Sequence, residues 1–195
     1  VDKPAGLLSV PGRGPGKQDC LSARVQARYP EALPVHRLDL GTSGLLVLAR
    51  SPAMHRALNR LFETRRVEKR YMALVAGRMA AGERVIDLPL IADWPNRPRQ
   101  MVDHAIGKPS RTRLRVAGYE AGLDATRVDL FPETGRSHQL RVHLQAIGHP
   151  ILGDELYAPP EVFARAPRLL LHAAFLGFFH PSTATGLRVE SGAPF

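Results

Sequence analysis

The stretch VHRLDLGTSGLLVLA, Val35–Ala49, decides how this chain is read. It sets one carboxylate, Asp39, directly after His36-Arg37-Leu38. A Gly41-Thr42-Ser43-Gly44 turn follows, and then the apolar run Leu45–Leu48. Two short apolar segments around a polar turn predict strands over Val35–Leu38 and Leu45–Ala49. Such a frame holds a side chain rigidly. The neighbouring Arg37 favours the ionised form of the acid. An ionised, oriented carboxylate serves as nucleophile, base or metal ligand; an Asp here equally well just caps the Gly41–Gly44 turn. The remaining sequence has to decide between these.

At 195 residues the chain is long enough for one well-buried core, and a single domain over 1–195 is expected. No apolar run approaches the roughly 18–20 residues of a membrane span. One cysteine, Cys20, excludes an intrachain disulfide and points to a reducing, cytoplasmic setting. The chain begins at Val1, without a Met and inside a motif, so upstream residues are expected to be missing. The net charge of +9 points to a polyanionic partner, nucleic acid foremost. Arginine outnumbers lysine 23 to 4. A GC-rich genome alone gives such a bias, yet arginine is also the better residue for bidentate phosphate contacts and for stacking on bases.

Outward from the central stretch, DKPAGLLSVPGRGPGK (Asp2–Lys17) is too rich in Gly and Pro for a regular element. GRGPGK resembles a phosphate loop, but the required first glycine is Pro11, and Gln18 stands where a magnesium-binding Ser or Thr belongs. Asp19 is expected to cap a helix running to about Tyr29, and Ser51-Pro52 opens a second to about Thr64. The alternation in RRVEKRYMALVAG (Arg65–Gly77) predicts a strand. Residues 84–109 are Pro-rich and irregular, around DWPNRPRQ. Thr112–Tyr119 and Ala125–Phe131 read as a hairpin. Ser137 is expected to cap a short helix closed by Gly148. Leu169–Phe179 reads as a long apolar strand. Strands outnumber helices without regular alternation, which predicts an α+β fold: a largely antiparallel mixed β-sheet flanked by helices and loops.

Few other residues compete with Asp39 for chemistry. His138 and His143 are five apart and do not share a helix face, and the other histidines are scattered, so the pattern predicts no metal site. Ser43 and Ser137 lack a GxSxG frame. Cys20 has no sequence-adjacent His or Asn. Basic clusters occur at Arg65–Arg70, Arg97–Arg99 and Lys108–Arg115. Arg111, Arg113 and Arg115 put charge on one strand face, either as guards on an exposed edge or as a cationic track for RNA.

HRLDLGTSGLLVLA resembles the catalytic motif of the RluA family of pseudouridine synthases. The resemblance continues through DKPAGLLSVPG, VEKRYMALVAG, ETGRSHQLRVHLQAIGHPILGDELY and RLLLHAAFLGFFHP, nearly the whole chain. It implies that Asp39 is the essential aspartate, that Tyr71 packs on the target base and acts in proton transfer, and that Arg141 pairs with the aspartate. It implies RNA contacts from Arg37, which helps displace the flipped base, and from His36, Thr42, Arg136, His138, Arg97 and Arg99. DWPNRPRQ and GKPSRT are most similar to the branch acting on large-subunit ribosomal RNA and on the tRNA anticodon loop. No S4-like domain, membrane partner or metal is expected, and a monomer is. The reaction adds no atoms, so no cofactor is required. A non-catalytic RNA-binding module on the same scaffold would keep the charges but have little need of Asp39, Tyr71 and Arg141. A nuclease would need further carboxylates on a divalent ion.

Overall fold

A computed structural model describes residues 1–195 as two units. One contains Val1–Lys69 with His172–Pro194, the other Arg70–Leu171 with Phe195. No helix is long and apolar enough to cross a membrane.

In the first unit, β1 (Asp2–Lys3) pairs antiparallel with β3 (Ser43–Leu45). β3 runs parallel to β11 (Leu171–Phe179), which pairs antiparallel with β12 (Gly186–Glu190). Gly44 sits where β3 meets β11: its φ is +110°, and a Cβ there would lie 2.4 Å from the Ala173 carbonyl oxygen, so no other residue fits. β2 (Leu33–Pro34) and β4 (Leu48–Ala49) form a separate two-stranded pair. Helix α2 (Pro52–Glu63) starts on the Ser51 cap, as expected, with Met54 N–H donating to Ser51 Oγ. It packs Leu58 and its partly buried neighbours on Val35 and Ala49.

In the second unit, β5 (Glu68–Ala76), β10 (Ala125–Pro132), β9 (Arg111–Glu120) and β6 (Glu83–Asp87) pair antiparallel in that order. A small hairpin, β7 (Leu90–Ala92) and β8 (Gln100–Val102), stands apart. Helix α3 (Gln139–Ala146) adds Leu140 and Leu144 to a core with Ala73, Val75, Leu114, Val128 and Leu130; the short helix α4 (Pro160–Phe163) adds Val162. The α+β architecture with a largely antiparallel mixed sheet is as expected.

Several local expectations fail for physical reasons. Val35–Leu38 is not a strand. Val35 N–H bonds to Val47 O, while Leu38 turns to the Ser9 side chain, so no neighbouring strand receives the segment. The Asp19 carboxylate pairs with Arg24 instead of capping. Buried Cys20 caps α1 (Leu21–Gln26), its Sγ accepting from Ala23 N–H, and the helix stops before Tyr29. Ser137 is exposed and caps nothing. The cap residue of α3 is His138, in a left-handed conformation, and the Gln139 side chain bridges the turn by accepting from Arg136 N–H. Residues 84–109 hold three short strands instead of irregular chain. β9 is no edge, lying between β10 and β6. Its arginines meet cross-strand acids: Arg115 reaches Asp129 at 2.6 Å, and Arg111 and Arg113 reach Glu133.

Candidate active site

Asp39 is half-buried in the irregular segment between β2 and β3. Both of its neighbours are gripped by the N-terminal DKPAGLLS segment. Ser9 Oγ accepts from Leu38 N–H at 2.9 Å and donates to Leu38 O at 2.7 Å. On the other side, Leu40 O accepts from Gly6 N–H at 2.9 Å and from Lys3 Nζ at 3.1 Å. Thr42 N–H closes the turn onto Asp39 O. The backbone carrying the carboxylate is therefore tied on both sides by chain some thirty residues away in sequence.

Lys3 is fully buried, 0% exposed. Its ammonium has three donors, and they meet three carbonyl oxygens, on Pro4, Leu7 and Leu40. Burial pushes its pKa down to about 8, and the Asp39 charge opposes that fall. Lys3 is thus a cation at neutral pH on the Asp39 side of this unit. Nothing in the sequence singled it out except a lysine inside an otherwise apolar, turn-rich motif.

His36 supports the same segment from behind. Its Nε2 accepts from Val47 N–H at 3.1 Å, which places the ring proton on Nδ1, and the ring stacks on Phe62 at 4.6 Å. Burial first, and then the Lys69 charge, push its pKa down to about 4, so the ring is neutral at working pH. Arg37 points outward and is exposed; Thr42 is buried. Ser43 Oγ shares a hydrogen bond with His172 Nδ1 at 2.9 Å, and His172 Nε2 lies 3.0 Å from Ser191 Oγ. Ser191 in turn donates to Asp2. This polar chain pins β3, β11 and β1 together beside the Asp39 turn.

In the second unit, Tyr71 lies half-buried on β5 opposite Leu130 of β10 and packs on the main core. Arg141 on α3 is 5% exposed. Its Nε and Nη2 donate to the two oxygens of Asp154 at 2.8 and 2.6 Å, a bidentate pair. Asp154, 1% exposed, also accepts from the backbone N–H groups of Leu156 and Tyr157. The preceding residue must be glycine: Gly153 has φ +72°, and a Cβ there would meet Arg168 O at 1.9 Å.

Tyr157 ties this region together. Its ring lies 5.0 Å from the Arg141 guanidinium carbon, its hydroxyl is 2.7 Å from His138 Nδ1, and it accepts from Gln100 N–H at 2.8 Å. His138 is partly buried against that ring, whereas Arg136, Arg97 and Arg99 are exposed. The sequence reading missed Lys3, Ser9, Asp154 and Tyr157. The last two stand in GDELY, where an acid directly after a glycine was the available signal. No three His, Cys, Asp or Glu side chains converge in a way that could hold a metal ion.

The chain is 51% identical to the dual-specificity RNA pseudouridine synthase RluA of Escherichia coli (strain K12) over all 195 residues, which cover 89% of that protein. It is 53% identical to the protein of the same name from Vibrio vulnificus (strain CMCP6), over 94% of this chain and 74% of that one. The solved structure of human RNA pseudouridylate synthase domain containing 1 superposes with a TM-score of 0.79 at 32% identity, covering 90% of this chain and 75% of the other. Residues 1–146 match the RNA pseudouridylate synthase family as a whole. With that match and these identities, the chain belongs to the RNA pseudouridylate synthase family.

Proposed function

We propose that this enzyme isomerises uridines in both large-subunit ribosomal RNA and a tRNA anticodon stem-loop, with Asp39, Tyr71 and Arg141 carrying the reaction. The reaction breaks the N1–C1′ glycosidic bond and joins C1′ to C5 of the same base. The C5 proton is lost and N1 gains one, so atoms and electrons balance without a co-reactant. The uridine has to leave its stack first, which costs a few kcal/mol and least in a loop.

Asp39 then acts as nucleophile or base on the extruded nucleotide. Tyr71 stacks on the uracil and holds it while it turns. Arg141, fixed by Asp154, supplies an oriented guanidinium for the aspartate. Arg37, Arg136, Arg97 and Arg99 contribute cations for the phosphates and His138 a polar ring edge, while Thr42, being buried, acts through the turn that its N–H closes onto Asp39 O. His36, whose ring is spent on Val47 and Phe62, acts on RNA through the loop it supports. The enzyme works as a monomer in the cytoplasm.

The observation that carries this reading is the double grip on Leu38 and Leu40. It is an expensive way to hold a loop unless the residue between them has to be placed accurately. The two RNA classes rest on the dual specificity named for relatives at about half identity. The test is incubation with a transcript of each RNA class and mapping of pseudouridine by carbodiimide labelling. Conversion of both is expected, and none with Asp39→Asn. Conversion of one class alone would reduce the reading to single specificity, and conversion by Asp39→Asn would remove the aspartate from the chemistry.

A further inference from the structure

Residues 93–99, DWPNRPR, join β7 to β8 and form the most conspicuous surface feature outside the site already described. The tip is stiff. Asp93 N–H bonds to Arg99 O, Asn96 N–H to Asp93 O, and Arg99 N–H to Asn96 O. The Asn96 amide spans both oxygens of the Asp93 carboxylate at 3.1 and 3.0 Å. The base of the hairpin is anchored by Leu90, which packs with Val142 and Tyr157, and by Gln100 N–H on the Tyr157 hydroxyl.

What this stiff tip displays is unusual. Trp94, the single tryptophan of the chain, is 67% exposed. Arg97 is folded over it: its guanidinium carbon lies 3.9 Å from the indole centroid, and its Nε donates to Trp94 O at 3.2 Å. Arg99, exposed in the same loop, has its guanidinium carbon 5.5 Å from the Tyr157 ring centroid, and Met101 and Ile106 have 42% and 71% exposed apolar side chains. The two local acids are engaged in hydrogen bonds within the loop. Asp93 is taken by Asn96, and Asp103 accepts from Ala105 and Ile106 N–H. The patch therefore shows solvent an aromatic face, apolar side chains and two guanidinium groups, with its two carboxylates already hydrogen-bonded to their own loop.

The geometry points to Trp94 as a stacking platform for one unpaired nucleotide of the RNA substrate, distinct from the uridine that reacts. Single-stranded nucleic acid is held by this combination: a base on an aromatic face, its phosphates on adjacent cations. The indole is stacked on one side by Arg97, which lowers the entropy lost when a base lands on the other. Every base has a π face, so the platform favours unpaired RNA over duplex without reading its identity. Arg97 and Arg99 supply the phosphate contacts. This inference rests on the RNA-modifying reading above for its partner, and it adds a contact that helps decide which loops are bound.

Because Trp94 is the only tryptophan, intrinsic indole emission reports this one position. The experiment titrates the full chain with an anticodon stem-loop RNA and reads Trp emission, the anisotropy of end-labelled RNA, and pseudouridine formation in parallel. Emission is expected to fall along the binding curve. In a series with single abasic loop positions, one position should abolish the quench. Trp94→Ala should weaken loop binding about tenfold or more, in KM rather than kcat, and leave binding of the isolated duplex stem unchanged; Trp94→Phe should recover part of it. Unchanged emission at saturating RNA, or Trp94→Ala binding as tightly as the parent, overturns the inference. The pseudouridine readout keeps the two readings apart. Active enzyme without a quench defeats the platform alone. A quench and loop binding without product defeats the enzymatic reading and supports the platform.

Discussion

The loop presenting Asp39 and the helix presenting Arg141 hold their charges by opposite means. Asp39 is positioned through its neighbours: Ser9 holds Leu38, while Gly6 and Lys3 hold Leu40, and the carboxylate itself stays half-buried. Arg141 is positioned through its own side chain, by a bidentate pair with a buried Asp154. A group held by its backbone keeps its place when its functional atoms are changed. A group held by its head is part of the core as well as of the site. Chemistry and stability should therefore separate at Asp39 and travel together at Arg141.

The isosteric changes Asp39→Asn and Asp154→Asn break or confirm that contrast. Asp39→Asn should remove all measurable pseudouridine formation at a stability cost of about 1 kcal/mol, because the backbone grip on Leu38 and Leu40 survives the change and what is lost is the charge that acts on buried Lys3. Asp154→Asn should cost about 3–5 kcal/mol, the typical loss when one partner of a buried ion pair is removed. Urea denaturation of both variants, with pseudouridine mapping on the same samples, reads both quantities. Equal destabilisation by the two changes would show that the Asp39 carboxylate is itself structural. A stable Asp154→Asn protein would show that the Arg141 pair contributes orientation and not stability.

The parts of this contrast that were legible in the sequence are those set by local pattern. The Ser51 cap and α2, the alternating β9 and β10 with their short connection, and the apolar β11 all follow from period and punctuation over eight residues or more. The Asp39 motif was legible by resemblance. The means of holding it were not, because every grip on Leu38 and Leu40 is a contact between residues about 30 apart in sequence. The same holds for Asp154, 13 residues from Arg141. At β6, β7 and β8 the strands are three to five residues long, too short for alternation to appear. At α3, His138 starts the helix in a left-handed conformation because the Gln139 side chain bridges to Arg136, which no capping preference at Ser137 would reveal.

A pH titration sharpens the comparison on the Asp39 side. The folded pKa of His36 is about 4 against an ordinary 6.5. Between those values the unfolded chain binds a proton that the folded chain does not, so stability falls as pH drops through this window and is complete above 6.5. The full span amounts to about 3 kcal/mol. Stability from urea unfolding, measured at intervals between pH 7 and 4, should fall less steeply for His36→Gln than for the parent. Identical slopes would mean that the imidazole is not held neutral, and that Val47 N–H is not its fixed donor.

The smallest expected effect is the most direct test of the backbone grip. Ser9→Ala removes one buried hydroxyl that serves both polar groups of Leu38, leaving that N–H and C=O without this partner. The stability cost should be about 1–2 kcal/mol, the usual price of a buried polar group deprived of its hydrogen bond. If the grip exists to place Asp39, turnover should fall more than stability alone accounts for. The expected result is a kcat reduced about tenfold with KM for RNA unchanged, since a displaced reacting group slows the chemical step without touching the binding surface. Ser9→Thr, which keeps the hydroxyl, should restore most of the rate. A Ser9→Ala enzyme that is destabilised yet turns over at the parent rate would show that the segment before Asp39 is held for folding alone, and that the Lys3 and Gly6 contacts to Leu40 suffice to aim the carboxylate.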